Sequence, residues 1–287
     1  MKLIIHADDF GMTPSINEAI IELCKLGTLS STSIMANMPY SQEARQLLSI
    51  DNISLGLHAT FTQGKPVSNP ADIPSLLDEQ GKFAAYNKII KRVRSRELLE
   101  EQIYRELKGQ YLALKNIIGE KLVFVDSHHS IHNKLSPFRK AFVKLGNEFN
   151  IHAVRTRQMH YFIKKGKKIK ILEPGVFTIG KFGLKKVVVN YYYKKVAGIF
   201  KKTYHIADGM VVENKPGALD TLKALSSMSL NHDQKKTLYI VVHPAASLEG
   251  LGDSNLQQER IEEYKLMKSE NFRDYIRNHP LTDFSKV

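Results

Sequence analysis

Short apolar runs alternate with longer segments of helical spacing along most of this chain. Each run has the length and continuity typical of a strand in a buried parallel sheet. The predicted strands cover residues 3–5, 32–36, 53–57, 122–125, 152–154 and 238–242. The runs are separated widely enough that each connection can include a helix.

Helical spacing of apolar residues and helix-start signals fill most of the intervals. Thr13 is expected as the N-cap of the first helix, Pro14 as its first residue and Gly27 as its end. Further helices are predicted over residues 41–49, 97–118, 136–147, 219–226, 255–267 and 272–276. Alternating strands and helices predict an α/β chain with a parallel sheet, in the manner of a (β/α) barrel or a close relative.

Polar residues follow five of the apolar runs directly. The runs end on the pair Asp8 and Asp9, on His58, on Asp126 with His128, on Arg155 and on His243. Because parallel strands place their carboxyl ends at the same edge, these distant side chains are expected to converge. Two adjacent carboxylates are costly to bury, which suggests a nearby cation. A solvated turn in which Asp9 caps a helix is the alternative.

Two imidazoles and a carboxylate form a common ligand set for a catalytic divalent metal, and Asp9, His58 and His128 can supply it. Spacing alone leaves His132 open as the ligand in place of His128. Asp126 is the predicted acceptor that orients an imidazole. The remaining single histidines receive no role; they are His6, His152, His160, His205, His232 and His279.

The composition indicates one large α/β domain spanning residues 1–287. No apolar run approaches the ~20 residues needed to span a bilayer, so no membrane span is expected. The N-terminal residues lack the pattern of a secretion signal. Cys24 is the single cysteine, which excludes an internal disulfide and favours a cytoplasmic setting, and its position in a helical pattern predicts packing in the core.

The net charge of +13 arises in one segment. Residues 149–207 contain fourteen Lys or Arg and one acid, Glu173, whereas the rest of the chain has equal numbers of basic and acidic residues. We interpret residues of about 157–206 as a basic insertion, most simply a solvated one. Contact with an anionic polymer or a membrane surface is the alternative. No nucleic-acid-binding motif accompanies the charge, so nucleic acid is not an expected partner.

Five sequence blocks resemble the YdjC-like carbohydrate deacetylases, which include the chitooligosaccharide deacetylases. The blocks are HADDFG at residues 6–11, GLHAT at 56–60, DSHHSIH at 126–132, VRT at 154–156 and VVHPA at 241–245. Their order and spacing agree over nearly the whole chain. The resemblance implies a distorted TIM-like (β/α) barrel of the glycoside hydrolase/deacetylase type. It also implies a divalent cation, Mg²⁺ or Zn²⁺, and removal of an N-acetyl group from an amino sugar or oligosaccharide.

The resemblance also implies roles for individual residues. Asp8 would be the general base, and His243 the acid for the leaving amine or a stabiliser of the oxyanion. Arg155 would keep Asp8 charged. The predicted substrate-binding residues are His129, His132 and Arg155. Ser130 departs from the family pattern, in which another histidine is expected.

Three functional hypotheses stay open at the level of sequence. The first is a metal-dependent deacetylase whose partner is a small N-acetylated sugar. The second is another metal-dependent hydrolase on the same scaffold, a phosphoesterase or an amidase. The third is a non-catalytic binder of an anionic polymer through the basic segment. A homo-oligomer is compatible with the sequence, which does not define the oligomeric state.

Overall fold

A computed structural model describes residues 2–165, 168–178, 180, 183–212, 218–225, 236–252 and 256–287. The strands are β1 (Lys2–Phe10), β2 (Ser31–Ile34), β3 (Ser54–Ala59), β4 (Leu122–Ser127), β5 (Ala153–Val154), β6 (Met159–Lys165), β7 (Lys168–Leu172), β8 (Gly209–Val212) and β9 (Thr237–Val242). The α-helices are α1 (Pro14–Lys25), α2 (Tyr86–Arg94), α3 (Glu100–Ile118), α4 (Ile131–Lys134), α5 (Ser136–Phe149), α6 (Leu184–Phe200), α7 (Leu219–Leu225), α8 (Gln257–Lys268) and α9 (Glu270–Asn278). Residues Ser41–Ser49 form a 3₁₀ helix.

Within the described residues, the nine strands form one sheet in the order β5-β4-β3-β2-β1-β9-β8-β6-β7. Every neighbouring pair is parallel except β6 and β7, which form an antiparallel hairpin. Over the residues that the structure describes, the sheet is not closed between β5 and β7. The predicted α/β class and parallel sheet are therefore confirmed, as a distorted and open relative of the barrel.

Strand β1 lies at the centre of this sheet, and its side chains alternate between two packing layers. Leu3 and Ile5 pack in the main core, which the helices cover. Ile4 points to the opposite side, into a smaller cluster with Phe124, Tyr239 and Phe284. This alternation places the side chains of His6 and Asp8 on the same face of the sheet as Ile4. They follow Ile4 along the strand, beyond the smaller apolar cluster.

A bulge at the end of β1 changes the direction of Asp9. The register with β2 shifts between Ala7 and Phe10, and Asp9 has a φ of 71°, in the left-handed region that a residue other than glycine seldom adopts. In a regular strand, Asp8 and Asp9 would point to opposite faces. The bulge allows both carboxylates to face the same site.

The observed elements agree with most of the predicted ones. Thr13 caps α1, its Oγ1 accepting a hydrogen bond from the backbone N–H of Ile16, and Pro14 is the first helical residue. Parts of two predicted helices, residue 226 and residue 255, lie outside the described residues, as does His232. The sequence did not predict helix α2.

In the basic segment, two runs of residues that favour strands form a helix. The runs at residues 187–189 and 191–193 have the composition of strands, but both lie within helix α6. The segment also contributes β6 and β7, and β6 pairs with β8 as part of the main sheet. In the part of the chain that is described, no helix is both long enough and apolar enough to cross a membrane.

Candidate metal centre

Three predicted ligands converge at the carboxyl ends of β1, β3 and β4. Candidate ligand atoms of Asp9, His58 and His128 all lie within 4.8 Å of one another. Asp9 Oδ1 is 3.6 Å from His58 Nε2 and 3.3 Å from His128 Nδ1. Asp9 and His58 are buried, whereas the His128 side chain is partly exposed. The site therefore has two buried donors and a third at its open side.

Asp126 fixes the orientation of the His58 ring. The two residues are partners in the β3–β4 register, and His58 Nδ1 lies 2.5 Å from Asp126 Oδ1. With the proton on Nδ1, the lone pair of Nε2 points towards Asp9. Burial lowers the pKa of His58, but the carboxylates of Asp8 and Asp126 outweigh it and raise that pKa to about 9. The surroundings of His58 thus favour positive charge at this position.

Asp8 lies in a separate set of contacts beside the cluster. His6 Nε2 donates to Asp8 Oδ1 at 2.9 Å, and Arg155 Nη2 lies 3.0 Å from the same oxygen. Arg155 Nε also contacts Asp126 Oδ2 at 2.8 Å, so one guanidinium joins two carboxylates. Burial alone would raise the pKa of Asp8, but the charges of Arg155 and His58 hold it well below its usual range. Asp8 is therefore an anion that can accept a proton.

Arg260 contacts Asp9 in the same way as Arg155 contacts Asp8. Its Nη2 donates to Asp9 Oδ2 at 2.6 Å, which leaves Asp9 Oδ1 directed at the imidazoles. Burial acts to raise the pKa of Asp9, and the contacts with His128 and Arg260 lower it well below its usual range. Three residues along α8, Glu263 accepts from the backbone N–H of His243 at 2.7 Å and so fixes the end of β9.

His243 also lies close to Asp8. Its Nε2 lies 3.7 Å from Asp8 Oδ2, and its Nδ1 is buried without a hydrogen-bond partner among the described residues. Burial lowers the pKa of His243 to about 4, although the carboxylates of Asp9 and Asp8 act in the opposite direction. At neutral pH the imidazole of His243 is therefore neutral and can accept a proton.

The other two predicted histidines occupy different surroundings. His132 is fully buried, with Nδ1 bonded to Ser127 Oγ and Nε2 lying 2.8 Å from the carbonyl oxygen of Arg155. Both of its ring nitrogens are occupied away from the cluster. His129 lies at the cluster's edge, where Thr62 Oγ1 contacts its Nδ1 at 3.1 Å. Of the pair left open by the sequence, the structure brings His128 to Asp9 and leaves His132 outside.

A pocket of about 1450 Å³ opens above these groups. It exposes Asp8, Asp9 and His128 at its base, and Arg155, His129 and His243 line it too. Its outer wall includes three basic side chains, Lys65, Lys134 and Arg157. Burial lowers the pKa of Lys134 to about 8, with the charge of Arg157 acting in the same direction. The pocket has room for a ligand larger than a single sugar ring.

The donor set fits a divalent cation. Asp9 Oδ1 and His58 Nε2 are buried, and neither has a hydrogen-bond partner among the described residues. Buried polar atoms of this kind are rarely left without a partner. One carboxylate oxygen and two imidazole nitrogens, with an open side towards a pocket, match the ligands of a catalytic metal.

His6 is a site residue to which the sequence analysis assigned no role. It contacts Ser31 Oγ at 2.9 Å through Nδ1, and its Nε2 lies 3.3 Å from Asp126 Oδ2 in addition to its bond with Asp8. The available indication was its position two residues before Asp8 on the same strand, since side chains two apart share a face. A second cluster of possible ligands, His6, Asp8 and Asp126, follows from this arrangement.

Comparisons with known proteins find relatives that match this chain over half or more of its length. The chain is 29% identical over 290 residues to a carbohydrate deacetylase of Thermoanaerobacter pseudethanolicus, covering 99% of this chain and 98% of the relative. It is 32% identical over 145 residues to a chitooligosaccharide deacetylase of Serratia marcescens, covering 50% of this chain and 55% of the relative.

A solved structure shares the fold along the full length. It is a crystal structure from Enterococcus faecalis, described as that of a candidate cellobiose-phosphate cleavage protein. The TM-score is 0.72 at 22% identity, covering 99% of this chain and 98% of that one. The family described as YdjC-like protein matches residues 2–278. Because this match includes every strand and all the residues of the cluster, the chain belongs to the YdjC-like protein family.

Proposed function

We propose that this protein is a metal-dependent hydrolase that removes an N-acetyl group from an amino sugar or a short oligosaccharide. The main structural support is a pair of buried atoms, Asp9 Oδ1 and His58 Nε2, that have no hydrogen-bond partner among the described residues and lie beside His128 at the base of a large pocket. The names of the relatives from Thermoanaerobacter and Serratia support the same reaction class.

In this proposal Asp9, His58 and His128 hold the cation. When bound, a divalent cation polarises the acetyl carbonyl and lowers the pKa of water. Asp8 is the general base: its pKa is held low by Arg155, so it is ionised and takes a proton from the attacking water. The new C–O bond converts the amide carbon to a tetrahedral centre with an anionic oxygen.

The amine must gain a proton before the C–N bond breaks, and His243 is the group placed to supply it. A pKa of about 4 means that His243 begins the reaction neutral. We infer that it first receives the proton held by Asp8, whose Oδ2 is 3.7 Å from His243 Nε2. His243 then donates this proton to the leaving nitrogen, and acetate and the free amine are the products.

The first experiment tests whether acetate release depends on a bound divalent metal. Two imidazole ligands favour Zn²⁺, and Mg²⁺ is the alternative. We expect EDTA to abolish acetate release from N-acetylglucosamine oligomers, and Zn²⁺ or Mg²⁺ to restore it. Metal content by mass spectrometry should fall in parallel. Full acetate release by the metal-depleted protein would contradict the proposal.

Two neighbouring substitutions sharpen this test. Asp8→Asn should retain the metal but lose about 10²–10⁴-fold in kcat, because it removes a general base. Asp9→Asn should lose the metal itself, because it removes a ligand. Asp51→Asn, at an exposed position, is the matched control and should change neither quantity. If Asp8→Asn and Asp9→Asn behaved alike in both measurements, the assigned roles would be wrong.

A phosphoesterase is the second candidate. Lys65, Lys134 and Arg157 line the pocket beside the cluster and would favour a phosphate group. The same side chains would equally suit a phosphorylated N-acetyl sugar. A panel of acetylated sugars, their phosphorylated forms and simple phosphate esters separates these cases. Phosphate release without acetate release would replace the proposed function with the second candidate.

A further inference from the structure

Helix α6 presents an outward face that combines apolar and basic side chains. Its inner face packs on the protein through Val187, Asn190, Tyr193, Val196 and Phe200. Its outer stripe follows the helical period at residues 184, 188, 191, 195 and 199. We call the stripe formed by Leu184, Val188, Tyr191, Lys195 and Ile199 the α6 outer face.

The apolar members of the α6 outer face are unusually exposed. Leu184 is 64% exposed, Val188 56%, Tyr191 60% and Ile199 43%. A contiguous exposed apolar strip of this kind, rimmed by charge, indicates an interaction surface. Scattered single apolar residues would need no such explanation.

The charged residues of α6 itself are all lysines, and one of them, Lys194, is paired with Glu173 at 2.9 Å. Lys185, Lys195, Lys201 and Lys202 are exposed on or beside the strip. Residues 174–207 contain no Asp or Glu. The partner of this face must therefore accept apolar side chains and supply negative charge at the same time.

We infer that the α6 outer face binds the surface of an anionic lipid bilayer. Leu184, Val188 and Ile199 would enter the interfacial region, while the lysines contact lipid headgroups from its edges. A second copy of this chain fits less well, because a two-fold contact would bring two lysine-bearing faces of the same positive charge together. A nucleic acid would pair with the lysines but gives the exposed aliphatic side chains nothing to contact.

The bilayer contact would lie beside the pocket mouth. Tyr192, the residue next to the stripe, donates its hydroxyl proton to the carbonyl oxygen of Lys134 at 3.1 Å. Lys134 is part of the pocket wall. Binding through α6 would therefore bring the mouth of the pocket close to the membrane surface.

Vesicle flotation tests this inference directly. We expect the full chain to float with vesicles of phosphatidylglycerol and phosphatidylcholine, and not with phosphatidylcholine alone. Raising NaCl from about 0.05 to 0.5 M should reduce the bound fraction, because exposed charges are screened. No flotation with anionic vesicles at low salt, or equal flotation with both vesicle types, would overturn the inference.

Paired variants test the two halves of the surface. Lys185→Glu with Lys195→Glu should lower the vesicle partition coefficient roughly tenfold or more. Leu184→Gln with Val188→Gln should lower it without any change in net charge. The matched controls are Lys25→Glu with Lys121→Glu and Leu99→Gln with Leu112→Gln, which change exposed residues elsewhere and should bind vesicles as the parent does.

Acetate release from a soluble substrate and circular dichroism show whether each variant is folded. Vesicle binding unaffected by the Leu184 and Val188 changes would overturn the inference in favour of a general electrostatic contact. Loss of a dimer in sedimentation, without any vesicle binding by the parent, would identify the face as an interface between copies and would also overturn it.

Discussion

Asp8 and Asp9 are adjacent in sequence but have largely different partners in the site, although His58 is close to both, with its Nδ1 3.8 Å from Asp8 Oδ1. Arg155 and His6 contact Asp8, whereas Arg260, His58 and His128 surround Asp9. The left-handed backbone at Asp9 makes this possible, because it turns the second carboxylate to the side of the first. A strained backbone at such a position is typical of functional sites.

The His58–Asp126 contact gives a prediction at the residue scale. Asp126→Asn should weaken metal affinity about 10–100-fold, because the carboxylate orients His58 and increases the basicity of its ring. Titration calorimetry of the metal-depleted protein measures this affinity. Asp51→Asn serves again as the exposed control, and equal affinity in the two variants would show that Asp126 does not orient the ligand.

The sequence predicted most of the site at this scale because polar residues directly follow apolar strands. His58, Asp126, Arg155 and His243 lie where parallel strand ends bring them together. His6 was missed because it lies inside the strand, where an imidazole was assigned no partner. Its role depends on Ser31 and Asp126, which are distant in sequence and cannot be paired with it from spacing alone.

At the scale of elements, helix α6 shows that residue composition alone does not predict whether a segment forms a helix or a strand. Its Val and Tyr runs have strand propensity, but propensity is a weak guide once a segment packs against the protein. The buried positions of α6 recur every three or four residues, which is helical. The spacing of the buried residues was therefore a better predictor of the helix than the high content of β-branched residues, which suggests a strand.

Alanine in place of each of two glycines is predicted to affect the stability of the fold differently. A Cβ added at Gly56 in β3 would lie 2.3 Å from the Phe124 ring, so Gly56→Ala should destabilise the fold by roughly 1–3 kcal/mol. At Gly198 in α6, an added Cβ has no neighbour within 4 Å. Gly198→Ala should instead be neutral or stabilise by about 0.5–1 kcal/mol.

Urea unfolding followed by circular dichroism measures both changes. The two variants carry the same added methyl group, so their difference reports the packing at each site. Equal midpoints for Gly56→Ala and the parent chain would mean that β3 and β4 are further apart than the structure indicates.

At the scale of the whole molecule, the alternation of strands and helices along the chain explains why the parallel sheet was predictable. Alternating strands and helices restrict the sheet to parallel pairing with all carboxyl ends on one edge. The positions of β6, β7 and β8 were not predictable in this way, since β6 ends in two consecutive lysines and pairs antiparallel with β7. Their register depends on neighbours that the sequence does not identify.

Cys24 provides a reporter of global unfolding. Cys24 is 3% exposed and burial raises the pKa of its thiol to about 12, so a thiol reagent should not react with the native chain at neutral pH. Labelling in increasing urea should follow the loss of circular dichroism. Complete labelling within minutes in the absence of urea would contradict the packing of α1 against the sheet.

The contact between Asp9 and Arg260 joins positions 251 residues apart. During synthesis, Asp9 leaves the ribosome long before helix α8 exists, and its carboxylate lacks this guanidinium throughout that period. A nascent chain can build the first strands, yet the candidate metal centre is completed only after translation has passed Arg260. Premature termination anywhere upstream of α8 should therefore yield an inactive product, even where much of the sheet has already formed.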